Sequence, residues 1–191
     1  METGLIIGAD EFFGLALCEY MMKEGMHVDI TCPHHQTKEQ KMLLEERMMW
    51  LGRNDLFRVI DLQDGKDTYD LIFIQSEEPD KRQEGLKAAH GIYRVLYEKT
   101  KDKSSNQNVP VVILPRMFGP WTIDKERTKR EEAFFVEDVA RDLFNWASGA
   151  EQRQEITHEL KVERQTDDKQ AEEMIAEWKR QNSTFFDKKQ E

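Results

Sequence analysis

Gly8 and Gly14 bracket Ala9-Asp10-Glu11-Phe12-Phe13, directly after the apolar run Leu5-Ile6-Ile7. Glycines at such a turn let the backbone approach a phosphate, which the free N–H groups of the following helix then hold. The two acids oppose that chemistry. Unit charges about 5 Å apart at an effective dielectric of roughly 20 repel by about 3 kcal/mol, near a hundredfold in affinity. Asp10 or Glu11 can instead cap the helix and satisfy the dipole that a phosphate would otherwise satisfy. Elsewhere, Arg116 is a guanidinium suited to a phosphate, and Ser76 is a hydroxyl just past an apolar strand, without an obvious base. His34 and His35 could meet a phosphate or a metal, although adjacent loop histidines are more often solvated surface. Tyr97 precedes Lys101 by one helical turn. Cys18 and Cys32 are the only cysteines; they make no disulfide framework and read as small buried hydrophobes in a reducing compartment. No metal site is assigned.

The elements that must position these groups follow from the hydrophobic pattern. Leu5-Ile6-Ile7 is apolar without alternation, as in a central parallel strand covered on both faces. A helix after Gly14 buries Leu15, Leu17, Cys18, Met21 and Met22 and ends at Gly25. A second strand runs from His27 to Cys32, stopped by Pro33, and a methionine-bearing helix closes at Gly52. Phe57–Leu62 and Asp70–Ile74 are the third and fourth strands and Val111–Leu114 a fifth. Between the last two, residues 80–103 read as one long helix whose apolar girth, from Leu86 to Tyr97, exceeds a single stripe. Thr122–Glu132 reads as a mobile charged loop. A helix follows over Glu137–Ser148, then a half-exposed strand over Ile156–Val162. A last helix opens on the capping box Asp167/Gln170.

Strands alternating with helices at this spacing predict a Rossmann-like doubly wound α/β fold, with a mainly parallel sheet of about five to six strands and helices on both faces. One domain over 1–182 is expected, with 183–191 a disordered tail. The chain has 38 acidic and 28 basic side chains and a net charge of −10. That balance argues against a nucleic-acid partner, which needs a basic face, and against an anionic membrane surface. No stretch reaches the roughly 18 apolar residues of a membrane span, and residues 1–3 carry no leader-like pattern, so a cytoplasmic protein is expected.

Four stretches together resemble the extended short-chain dehydrogenase/reductase family, the epimerase/dehydratase branch that works on nucleotide sugars. Gly8 and Gly14 match the outer glycines of its Gly-x-x-Gly-x-x-Gly loop. Asp61-Leu62 looks like its adenine-side Asp-Leu pair, and Met117-Phe118-Gly119-Pro120-Trp121 resembles its Val-Tyr-Gly-Pro turn. Phe135-Val136-Glu137-Asp138-Val139-Ala140 is similar to its Val-x-Asp-Val-Ala helix start, and 151–182 looks like a remnant of its C-terminal part. The resemblance implies NAD or NADP as cofactor, with Gly8, Glu11, Phe12, Phe13, Gly14, Cys32, Asp61, Leu62 and Ser76 at the cofactor-binding positions. It also implies a shortened member, lacking at least one strand–helix unit and most of the substrate lobe.

The departures from that pattern set the functional expectation. Glu11 replaces the middle glycine, and Cys32 stands where an acid would select the adenosine ribose. Tyr97 and Lys101 match the spacing of the family's catalytic pair. Placed late in a helix over 80–103, however, they should face the edge opposite the site. No catalytic residue is assigned. The expected role is a ligand-binding or protein-interaction module without catalysis, a pseudoenzyme that forms a homodimer through the helix at 80–103. The alternative is a working NAD(P)-dependent oxidoreductase or epimerase with non-standard site residues, acting on a small molecule that the sequence does not name.

Overall fold

The structure, a computed structural model, describes residues 1–75, 85–97, 109–122, 132–149 and 156–183. Its centre is a seven-stranded sheet in the order β3-β2-β1-β4-β5-β6-β9. The strands are β1 (Thr3–Ile7), β2 (His27–Ile30), β3 (Phe57–Val59), β4 (Thr68–Ile74), β5 (Lys87–Leu96), β6 (Val111–Ile113) and β9 (Thr157–Glu159). Every neighbouring pair is parallel. Two short strands, β7 (Met117–Phe118) and β8 (Phe134–Phe135), pair in a ribbon of their own. The helices are α1 (Phe13–Lys23), α2 (Lys38–Leu51), α3 (Val136–Ser148) and α4 (Asp168–Gln181). This is the expected Rossmann-like α/β fold around a parallel sheet, with more strands than the sequence pattern suggested.

Local chemistry explains the helix ends. Gly25, at φ +84°, takes the left-handed position that closes α1, and the Met26 N–H donates back to the Met21 carbonyl. Thr37 with Gln40, and Asp167 with Gln170, form reciprocal capping boxes that start α2 and α4. The strand side chains alternate between two apolar clusters. Ile6, Leu71, Phe73, Val95 and Val112 pack with α1 and α3 in the main core. Leu5, Ile7, Tyr69, Ile72 and Ile74 form a smaller cluster on the other face, with Leu62, Leu86 and Ile92 against it. Among the described residues, that second cluster contains no residue of an α-helix, and the β3–β4 crossover carries a single 3-10 turn at Leu62–Asp64.

Three expectations are corrected. Residues 87–96 are not helix but the inner strand β5, between β4 and β6. The expected dimer helix therefore does not exist over that span, and the rest of 80–103, apart from 85, 86 and 97, lies outside the described residues. The wide apolar girth has a simple cause. An inner strand presents alternate side chains to two covered faces, so both sides of the segment must be apolar. Gly91, poorly suited to a helix interior, and the β-favouring Ile92, Tyr93 and Val95 carried that signal. The third strand is shorter than expected, ending at Val59 rather than Leu62, and the last is Thr157–Glu159 rather than Ile156–Val162. Most of the expected mobile loop (123–131) and the tail (184–191) lie outside the described residues. Among the described residues, no helix is long and apolar enough to cross a membrane.

A candidate nucleotide crevice closed by its own side chains

The strand order reverses between β1 and β4, and in open parallel sheets ligands bind off the carboxyl ends of the strands at such a point. The groups that meet there are the β1–α1 turn, Cys32 beyond β2, Gln75 after β4 and Tyr97 after β5. The turn keeps both glycine roles. Gly8 sits at φ +74°, a conformation that strains a residue with a Cβ, and its N–H donates to Thr31 Oγ1 at 3.0 Å. A Cβ on Gly14 would lie 2.7 Å from the Ala9 Cα and would collide with Gln75 Oε1. Helix α1 thus approaches the turn as closely as the third glycine of a dinucleotide fingerprint permits.

What lies over the turn is protein. Asp10 Oδ1 accepts the Gly14 N–H at 2.8 Å. Asp10 Oδ2 accepts the Tyr97 hydroxyl, and that hydroxyl in turn accepts Gln75 Nε2 at 3.0 Å. The edge of the Tyr97 ring packs against Phe13, centroids 6.2 Å apart. A continuous polar relay therefore runs from β4 through β5 to the start of α1. Of the two acids expected to serve as cap, Asp10 is the one that bonds a first-turn N–H of α1.

The turn is also clamped from behind. Arg47, on α2, is buried at 3 % exposure. Its Nη1 donates to the carbonyls of Glu11 (2.7 Å) and Phe12 (2.9 Å), and its Nε to Glu19 Oε1 (3.0 Å). The guanidinium carbon lies 5.4 Å from the Trp121 ring, and Trp121 packs against Trp178 of α4, centroids 5.7 Å apart. Trp121 itself holds φ +63° beyond Gly119-Pro120. The turn that resembles Val-Tyr-Gly-Pro thus links the C-terminal helix to the back of the glycine loop. Asp138, near the start of α3, completes that anchorage. Its carboxylate accepts Arg141 Nη1 and both the N–H and hydroxyl of Thr166, each at 3.0 Å, and the Gln165 N–H at 3.1 Å.

The structure brings some of the sequence-assigned positions to the crevice and not others. Gly8 and Gly14 form the turn. Glu11 is 2 % exposed, turned into the protein rather than out to solvent, and Phe12 and Phe13 are buried in the main core. Cys32 is half-buried beside Met48, Sγ to Sδ 3.9 Å; burial pushes its thiol up, and Glu45 adds to the shift. Asp61 is exposed, and Leu62 packs on the second face of the sheet. Ser76 and Lys101 lie outside the described residues. Tyr97 stands at the carboxyl edge, not the opposite one; its expected placement followed from the helix that is in fact β5. Arg47, Gln75 and Asp10 as partner of Tyr97 escaped the sequence reading. Gln75 follows directly from the end of β4, whereas nothing local marks Arg47 as buried. His34 and His35 are exposed, and among the described residues no group of three His, Cys, Asp or Glu could hold a metal.

In this arrangement the residues do not fit a dinucleotide. The Gly14 N–H is already bonded to a carboxylate, Gln75 covers Gly14, and no acid stands at the end of β2 for a ribose.

The fold is of the Rossmann type, the one also seen in solved nucleotide-sugar epimerases and reductases. UDP-glucuronic acid 4-epimerase from Bacillus cereus, in complex with UDP-glucuronic acid and NAD, aligns over 91% of this chain and 93% of its own, with TM-score 0.58 and 11% identity. Yeast methylglyoxal/isovaleraldehyde reductase Gre2, complexed with NADPH, aligns over 83% and 75%, with TM-score 0.54 and 13% identity. Vestitone reductase from alfalfa aligns over 96% and 99%, with TM-score 0.53 and 10% identity. At these identities the likeness is one of fold. No protein-family model matches the chain. By sequence it belongs to the family of the uncharacterized protein YjaV of Bacillus subtilis (strain 168), being 41% identical over 195 residues, 98% of this chain and 100% of the relative.

Proposed function

We propose that this protein keeps the Rossmann scaffold as a ligand-binding or protein-interaction module and has given up nicotinamide chemistry. One observation carries the reading: Gln75, Tyr97, Asp10 and the Gly14 N–H, the polar groups at the ligand edge, are bonded to one another. A general acid or base must reach the proton that it transfers, and a hydroxyl engaged by an internal carboxylate is turned away from that task. The reading goes with a cytoplasmic setting, to which the free Cys18 and Cys32 are suited. Self-association in this role would use a surface other than a helix over 80–103.

The alternative, a working NAD(P)-dependent oxidoreductase or epimerase, has in its favour the left-handed Gly8 and the tightly packed Gly14. Titration with NAD, NADH, NADP and NADPH, followed by calorimetry and by the melting temperature, separates the two. The module reading expects no saturable heat and no rise in melting temperature up to millimolar dinucleotide. Saturable sub-millimolar binding of any of the four would overturn the loss of the dinucleotide site, and turnover of the bound nicotinamide with a carbonyl or hydroxyl substrate would establish the enzyme.

A further inference from the structure

We infer that Asp10 is an internal replacement for the cofactor's diphosphate, an autoinhibitory contact that alone accounts for most of the loss of nucleotide affinity. The inference rests on the module reading above and names the residue responsible. In the parent fold a diphosphate lies against the N–H groups that open the first helix. Here the Asp10 carboxylate receives the Gly14 N–H at 2.8 Å, and its second oxygen receives the Tyr97 hydroxyl. The carboxylate therefore brings to the turn both a negative charge and two acceptor oxygens, the same chemistry as a phosphate. Gln75 completes the cover by donating to Tyr97 and lying over Gly14. Glu11 has a different part despite standing at the missing glycine. It is buried at 2 % exposure, and its carbonyl is held by Arg47 on the side of α2. Both roles of the flanking glycines survive, so the backbone of the seat is intact under its plug.

Three variants read this out by NADH fluorescence titration, with NAD calorimetry as a second measure and circular dichroism as the check on folding. Asp10→Ala clears both the charge and the occupied donor, and should bring dinucleotide affinity up by roughly ten- to hundredfold, the range set by one removed charge repulsion. Asp10→Asn keeps the shape and so protects the fold. It should give a smaller gain, because its amide oxygen still takes the Gly14 N–H. Glu11→Gly alone should leave affinity where it was. A folded Asp10→Ala and Asp10→Asn that bind no better than an inert wild type would overturn this inference and leave the module reading standing. Glu11→Gly matching the Asp10→Ala gain would also overturn it. Wild-type protein that already binds as tightly as Asp10→Ala would sink both.

Discussion

Replacing Arg47 with Met keeps the length of the buried stem but removes its charge and every donor. Three acceptors then each lose one hydrogen bond: the carbonyls of Glu11 and Phe12, at 2.7 and 2.9 Å, and Glu19 Oε1, at 3.0 Å. The Arg47 side chain is 4% exposed and that of Glu19 29%, so water can rehydrate the carboxylate in part. A lost hydrogen bond costs about 0.5–1.5 kcal/mol, and breaking a buried ion pair by removing one member about 3–5 kcal/mol. These costs overlap. With Glu19 partly solvated, the low end applies, and about 3–4 kcal/mol is the expected loss. The guanidinium over Trp121 adds about 1 kcal/mol at most. For a chain of this size such a loss lowers the melting temperature by roughly 6–16 °C. Urea unfolding followed by tryptophan fluorescence measures it directly. Arg47→Lys should recover only part, since an ammonium cannot span three acceptors held by a planar fork. A loss below 1 kcal/mol for Arg47→Met would show that Arg47 does not clamp the turn.

Three further outcomes follow from the geometry. Gly14→Ala forces a Cβ to within 2.7 Å of the Ala9 Cα and should cost about 1–3 kcal/mol in thermal unfolding; an unchanged melting temperature would mean that helix and turn are not closely packed. Asp138→Asn weakens three bonds that tie 165–166 to α3 and a fourth to Arg141 within α3, so a stability loss of about 2–4 kcal/mol and faster proteolytic release of α4 are expected, and equal cleavage rates would refute the anchorage. Burial, together with the hydrogen bond to Asp29, pushes the Tyr69 phenol up to about 12 from 10.0. A raised folded value means a contribution fully present below pH 10 and lost as the pH climbs toward 12. Wild-type stability should therefore fall across that window more steeply than that of Tyr69→Phe, and parallel curves would refute the assignment.

How much was legible in the sequence can be judged element by element. The capping box at Asp167 and the close of α1 at Gly25 are local events, settled by residues within one helical turn of each other, and both were readable. Strand β5 was not. Its apolar residues fit a thick helix as well as an inner strand, because periodicity alone cannot say whether a segment is covered on two sides by helices or by the two faces of a sheet. That single misreading also moved Tyr97 to the wrong edge and hid its bond to Asp10.

The amino-acid order by itself determined the strand–turn–helix opening, because φ +74° at Gly8 and the missing Cβ at Gly14 are intrinsic to glycine. It determined the α/β class as well, through unalternated apolar strands spaced by helices. Only the tertiary structure decided what occupies the crevice. Tyr97 lies 87 residues from Asp10 and Arg47 lies 36 from Glu11, and a pairing across such separations is set by strand order rather than by any local preference. Whether an acid at a glycine loop repels a phosphate from solvent or stands in for it from within is a matter of what the sheet carries to its other oxygen.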